Sequence, residues 1–180
     1  MEDERKVIFG SWAQAAGTTL SAIGSTPLTI FSDEQLNNFN LWGNVMQATG
    51  NSLIADSEET LTLGKIGNDT QAIGNLIIVA GILLDLNEFT KQELDIKGNL
   101  LQAAGGSTAL AEAFGEASSF GLIYNIYGNS LQVIGNSMQA IAGIINLRGG
   151  CGLQINTAGS WIQAIGSILQ AIGQSKNPKI

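Results

Sequence analysis

GNSLQVIGNSMQAIAGI, residues 128–144, repeats a seven-residue unit twice and contains no charged residue. Its larger apolar side chains, Leu131, Ile134, Met138 and Ile141, recur by three and four. That is the spacing of one helical face, whereas a strand would alternate by two. GSWIQAIGSILQAIG, starting at Gly159, repeats the pattern with Ile162, Ile165, Leu169 and Ile172. Read this way, the fourth and seventh places of the unit form the a/d seam of a left-handed helical bundle.

The unit recurs along most of the chain. Further blocks begin at Gly10 (GSWAQAAGTTLSAIG), Gly43 (GNVMQATGNSLIAD), Gly67 (GNDTQAIGNLIIVAGILLDL) and Gly98 (GNLLQAAGG). Successive starts lie 24 to 33 residues apart. The sequence therefore predicts an internal repeat of about 31 residues, each copy one helix and a connection. Breaks fall where turn chemistry accumulates. GSTPLTIFS at residues 24–32 contains Pro27, and Ser32 with Gln35 reads as a capping box. Asp56 to Glu59 bring acids to an expected helix N-terminus, and Thr90 with Glu93 reads as a second capping box. GEASS at 115–119 and RGGCG at 148–152 are a turn and a stop. The expected fold is all-α: one repetitive domain over residues 1–180, an antiparallel bundle of six helices, each about 17 to 30 residues long.

Glycine is the anomaly: 23 of 180 residues, against 2 prolines. A glycine inside a helix costs roughly 1 kcal/mol relative to alanine, so the repeated ones need a compensating gain. Losing Cβ lets a neighbouring helix come close, as small residues do in membrane helix pairs. Gly10, Gly17, Gly43, Gly50, Gly67, Gly74, Gly98, Gly105, Gly128, Gly135, Gly159 and Gly166 are the expected helix-packing positions. Gly24 and Gly173 read as helix C-caps.

With Ile and Leu assigned to the seam, the second, third and fifth places face outward. They carry amides and hydroxyls where most helices carry Glu, Lys and Arg. Asn129, Gln132, Asn136, Gln139, Gln163 and Gln170 are therefore candidate interface residues. So are Trp12 and Trp161, which occupy matching places in the first and last blocks. Uncharged amides can hydrogen-bond across a helix interface without the desolvation cost of buried ions. Both terminal blocks match the interior, whereas a closed array has atypical ends. The reading favours a non-enzymatic structural or interaction protein that self-associates into an oligomer or filament. The alternative is a membrane-active or apolar-surface-coating protein, pore-forming or lipid-binding, because Ala and Ile widen the apolar arc.

The remaining composition argues mostly by exclusion. A formal charge of -7 and a pI near 4.4 disfavour nucleic acid, whose phosphates need a basic partner. They disfavour anionic lipid as well. Without histidine there is no Ser-His or Cys-His pair and no imidazole ligand. No catalytic residue, metal site, cofactor or small-molecule substrate is expected. Cys151, alone in RGGCG, forms no disulfide framework. Asp69 and Asp85 lie inside the apolar third block, and Lys65 is the partner expected for Asp69 if it faces the core. The apolar run at residues 76–84 is too short to cross a bilayer, which takes about 20 helical residues. MEDERKVIFG has no apolar h-region of a secretory signal, so a cytoplasmic location is the default expectation.

GNVMQATGNSL, KIGNDTQAIGN, IKGNLLQAAGG, YGNSLQVIGNSMQAI and GSWIQAIGSILQAIG together resemble a family of repetitive small proteins from spore-forming bacteria. The resemblance covers nearly the whole chain. That family has no established activity or binding residues, so the resemblance implies a bacterial origin and the repeat, and no site.

Overall fold

The computed structural model describes residues 2–116 and 119–176. Six α-helices account for most of them: α1 (Glu2–Gly24), α2 (Asp33–Asp56), α3 (Leu63–Leu83), α4 (Glu88–Ala113), α5 (Phe120–Leu147) and α6 (Leu153–Lys176). Each helix packs on its sequence neighbours, and α1 packs on α6, so the six close into a ring. The all-helical bundle expected from the periodicity is the observed fold, and there is no strand among the described residues.

The caps explain most boundaries. Ser32 and Gln35 form the expected capping box at the start of α2. Thr62, Asn87 and Ser119 cap α3, α4 and α5 by accepting from the backbone N–H three residues on. Two cap assignments move. Asn87 accepts from Thr90 N at 2.9 Å, so α4 starts before the Thr90–Glu93 pair rather than at it. Asp56 ends α2, and Glu58 and Glu59 lie in the connection instead of opening α3. After α5, Gly149 adopts φ +79° and the Gly150 amide reaches back to the Ile145 carbonyl at 2.9 Å. This closes the helix in the left-handed turn that favours glycine. Of the expected turn at 115–119, residues 117 and 118 lie outside the described residues.

Polarity is the main correction. The Ile of the seventh place points outward: Ile73, Ile134 and Ile165 are 54%, 49% and 52% exposed, and Ile141 is similar. The amides expected on the outside form the interior. Gln132 is 1% exposed and Asn136 0%, and Asn129, Gln139, Gln163 and Gln170 are buried too. Gln14, Gln47, Gln71, Gln102, Asn51, Asn75 and Asn99 join them from the other helices. What remains of an apolar core is mostly alanine, such as Ala22, Ala55, Ala140, Ala164 and Ala171. The physical reason is the glycine line. Places one, two and five lie within one helical face, so wherever glycine draws backbones together, Asn and Gln go inward with it.

Candidate functional site: a glycine-sealed axis of amides

The twelve packing glycines meet in antiparallel pairs inside three hairpins. Gly10 faces Gly50 and Gly17 faces Gly43 between α1 and α2. Gly67 faces Gly105 and Gly74 faces Gly98 between α3 and α4. Gly128 faces Gly166 and Gly135 faces Gly159 between α5 and α6. A Cβ on any of the twelve would stand no more than 2.7 Å from the partner glycine's carbonyl oxygen. Backbone lies against backbone there, within reach of weak Cα–H···O contacts. The packing unit is thus a pair of helices used three times. Gly24 and Gly173 also pack rather than cap: a Cβ would meet Leu36 O at 2.6 Å and Asn125 Oδ1 at 2.7 Å, respectively.

Inside the ring the glutamines form two hydrogen-bonded strings. In one, Gln14 donates through Nε2 to Asn51 Oδ1 (2.8 Å) and Gln132 Oε1 (3.0 Å), and Gln132 donates to Gln170 Oε1 at 2.6 Å. In the other, Gln163 donates to Gln47 Oε1 (3.0 Å) and Gln102 Oε1 (3.1 Å) and accepts from Gln139 Nε2 at 3.0 Å. Ser160 adds a bond to Gln139 Oε1 at 3.2 Å. The strings tie α1 to α5 and α6 to α2 and α4, joining all three hairpins across the axis. The asparagines behave differently. Asn44, Asn68, Asn75 and Asn99 each donate Nδ2 to the carbonyl four residues earlier. That bond fixes the amide and turns Oδ1 away from its own helix. Asn68 Oδ1, Asn75 Oδ1 and Asn129 Oδ1 have no hydrogen-bond partner among the described residues.

A cavity opens at each end of this axis, and all six helices line both. The first, about 290 Å³, ends on Asn68, Asn129 and Gln170, and its rim carries Asp3, Glu4, Glu58, Glu112 and Glu116 without a basic residue. The second, about 540 Å³, ends on Gln47, Gln102, Gln139 and Gln163, with Glu88, Lys91 and Asp95 nearby. Burial pushes the Asp95 carboxyl up to about 6, against a hydrogen bond from Asn99 that favours the charged form. Among the described residues no three Cys, Asp or Glu side chains converge as a metal site.

The other singled-out residues settle on the outside. Trp12 donates its indole N–H to Ser175 Oγ, and Trp161 donates to Thr26 Oγ1, both at 3.0 Å. The matching tryptophans of the terminal blocks thus close α1 onto α6 within one chain, which removes the argument that unlike ends are missing because copies stack. Asp69 is exposed on α3 and does not face the core. Lys65, its expected partner, donates instead to the Glu58 carbonyl at 2.6 Å. Asp85 and Cys151 are exposed. The charges within the α3–α4 hairpin include Asp69 and Lys97 on its outer surface. No charged residue occurs in α5, nor in α6 before Lys176. Among the described residues one helix, α3, is by length and composition long and apolar enough to cross a membrane.

A model for a family of unknown function, DUF6944, matches residues 5–171, nearly the whole bundle. The chain belongs to that family. No curated protein and no solved structure matches it.

The buried asparagines and glutamines of the first four helices were not singled out in the sequence, although the signal was there. Each repeating glycine is followed in most blocks by Asn at the next place and Gln at the fourth after it.

Proposed function

We propose that this protein is membrane-active: a closed bundle that seats its uncharged outer faces, α5 and α6 foremost, in a lipid surface. The observation that carries the reading is the inverted polarity. Isoleucine, leucine and tryptophan cover the outside while amides fill the interior. In water this arrangement exposes apolar area and buries polar groups, each unfavourable. Against lipid both signs reverse, because polar groups there must be satisfied within the protein. Ile123, Tyr127, Ile134 and Ile141 on α5 continue into Trp161, Ile165 and Ile168 on α6 as exposed apolar side chains. The indoles of Trp12, Trp42 and Trp161 suit the level of the lipid headgroups. Asp69 and Lys97 put charge on the α3–α4 surface, which also exposes Ile66, Ile73 and Leu76, so α5 and α6 offer the uncharged face. The net charge favours zwitterionic over anionic lipid. The resemblance of the blocks to proteins of spore-forming bacteria supports a bacterial origin.

A second reading rests on the same uncharged α5–α6 surface. Two copies could bury their α5–α6 faces against each other, giving a homo-oligomer joined by isoleucines rather than by the amides. An exposed apolar patch of this kind marks either partner.

Flotation decides between them. The chain is expected to rise with zwitterionic vesicles, more weakly with anionic ones, and the double variant Ile134→Lys/Ile165→Lys should stay at the bottom. Protein that never floats, yet sediments as a dimer that the same double variant dissociates, supports the second reading. A monomer indifferent to both sinks each of them.

A further inference from the structure

We infer that the larger cavity, at the end of the axis where Asn44, Asn99 and Gln102 lie, is a binding site for a small uncharged polyhydroxylated ligand, a mono- or disaccharide unit. The inference holds whether the outer face meets lipid or a second copy, since the cavity lies at the end of the ring.

Its deep wall holds unused hydrogen-bonding atoms of both kinds. Gln102, Asn99 and Asn44 are 2%, 3% and 7% exposed, and all three line the cavity. Gln102 accepts through Oε1 from Gln163, and its Nε2 has no partner among the described residues. Asn44 and Asn99 donate Nδ2 to the carbonyls of Asn40 and Asp95, both at 2.9 Å, which fixes the amides and leaves each Oδ1 unpaired. In Asn68, Asn75 and Asn129 the unpaired oxygens are sealed from solvent. The three atoms at this end are not sealed: each keeps accessible surface, and on residues so enclosed that surface faces the cavity they line. One donor and two acceptors thus converge on a ligand-sized space.

The charges select against ions. Glu88 and Lys91 pair with each other at 3.0 Å, so the cavity offers an anion no unpaired cation. Asp95 adds a carboxyl that is in no ion pair among the described residues, and it repels an anion. A simple ammonium ion suits Asp95 and the two Oδ1 atoms, yet it gives the Gln102 Nε2 donor nothing to bond. A hydroxyl both donates and accepts, so neighbouring hydroxyls can serve the carboxyl, the two amide oxygens and the amide nitrogen together.

One wall is apolar, as the C–H face of a sugar ring requires. Ile78, Gly81 and Ile82 lie on one face of α3 and line the cavity. Gly81 differs from the twelve seam glycines. A Cβ there would find its nearest neighbour, Leu94 Cβ, at 3.4 Å, an ordinary contact. Helix packing therefore does not demand this glycine, although it costs the helix roughly 1 kcal/mol relative to alanine. Its missing side chain leaves a shallow floor between two isoleucines, on which a ring can lie while its hydroxyl edge meets the amides. The volume, about 540 Å³, falls within the range of about 300–1,000 Å³ usual for organic ligands.

The test is nitrogen-15 NMR of the full chain, following the side-chain amides of Gln102, Asn44 and Asn99. The probes are methyl β-glucoside, sucrose and octyl β-glucoside, the last below its micelle concentration; cyclohexanol, n-butylammonium and glycine are controls. The sugars are expected to shift these amides saturably, half-maximally below about 10 mM, while Gln14 and Gln132 of the other string stay still. A response to all three probes, or to the first two, assigns a free sugar; a response to octyl β-glucoside alone assigns the sugar headgroup of a lipid. Asn44→Leu with Asn99→Leu keeps the volume, removes both open acceptors and breaks bonds only to carbonyls of the same helix. It should weaken binding about tenfold or more, read at Gln102, as the loss of two hydrogen bonds. Asn156 lines the cavity and its side chain makes no hydrogen bond among the described residues. Asn156→Phe should therefore fill the space and abolish the shifts in a chain of unchanged helical circular dichroism. No saturable shift with any of the three sugars, equal shifts with any control, or sugar affinity unchanged in folded Asn156→Phe would each overturn the assignment.

Discussion

Two kinds of seam hold the ring together. Within each hairpin, between α1 and α2, α3 and α4, or α5 and α6, glycine meets glycine and backbone touches backbone. Between hairpins the contacts are made by side chains. A Cβ on Gly106 of α4 would meet only Val133 Cγ2 of α5, at 3.0 Å. The α1–α6 closure relies on the two tryptophans and on Thr157, whose hydroxyl donates to the Ser25 carbonyl at 2.7 Å. A backbone seam cannot adjust without separating two helices, whereas a side-chain seam can change rotamers. The hairpins are therefore the rigid units, and any opening of the ring runs between them.

Glycine substitutions should show the difference between the seams most strongly. Alanine at Gly135 would place its methyl 2.5 Å from Gly159 O and 2.7 Å from Gln163 N, both backbone atoms. We expect a loss of about 3 kcal/mol or more, the upper range of overpacking. Gly106→Ala gains up to about 1 kcal/mol of helix propensity against a Val133 methyl that can move, so its effect should lie near zero or be stabilising. Chemical denaturation of both variants measures the gap. Equal losses would mean that both seams are backbone-limited.

The glutamine strings come next, because they cross from hairpin to hairpin. Gln163→Leu keeps the volume but removes two donated bonds and one accepted bond, leaving Gln139 Nε2 without its acceptor. The expected cost is about 2–4 kcal/mol, from buried groups stranded without partners. Gln170→Leu removes only the bond accepted from Gln132 and should cost about half as much on the same grounds. Hydrogen exchange distinguishes where the loss falls. Amides should open between hairpins while the interior of α5–α6 stays protected; uniform loss of protection would show that the hairpins are not units.

How far this was legible follows from the same glycines. Helix count, antiparallel order and the capping box at Ser32 are local or periodic features, and they stood in the sequence. The orientation does not follow, because hydrophobicity alone assigns Ile and Leu to the seam. Ile134 directly precedes Gly135, so it lies about 100° around the helix from it; both cannot face the same neighbour closely. Centring the seam on glycine instead puts Asn136 and Gln139 inside with Gly135. Interior amides are ordinarily so costly that the usual preference points the wrong way here. The two end cavities depend on ring closure between α1 and α6, which no local pattern encodes, although the matching Trp12 and Trp161 were its trace.

Asp95 offers the gentlest test of the side-chain seam. It sits on α4 beside the second cavity, and its Oδ2 lies 3.9 Å from where a Cβ on Gly143 of α5 would stand. Burial raises its carboxyl to about 6, above the ordinary unfolded value of about 3.9. Folding therefore prefers the protonated form. That contribution is full below about pH 4 and fades as pH rises through about 6. Glu88 and Lys91, the other charged groups at this cavity, pair with each other at 3.0 Å, which leaves Asp95 to respond largely to its own burial. Asp95→Asn should melt like the parent near pH 4 and above it near pH 7, because the amide never acquires the buried charge. The difference in Tm between the two chains, followed over that interval, is the measurement. A difference that does not change with pH would place the Asp95 charge in contact with water, and the α4–α5 seam would then be already open at that end.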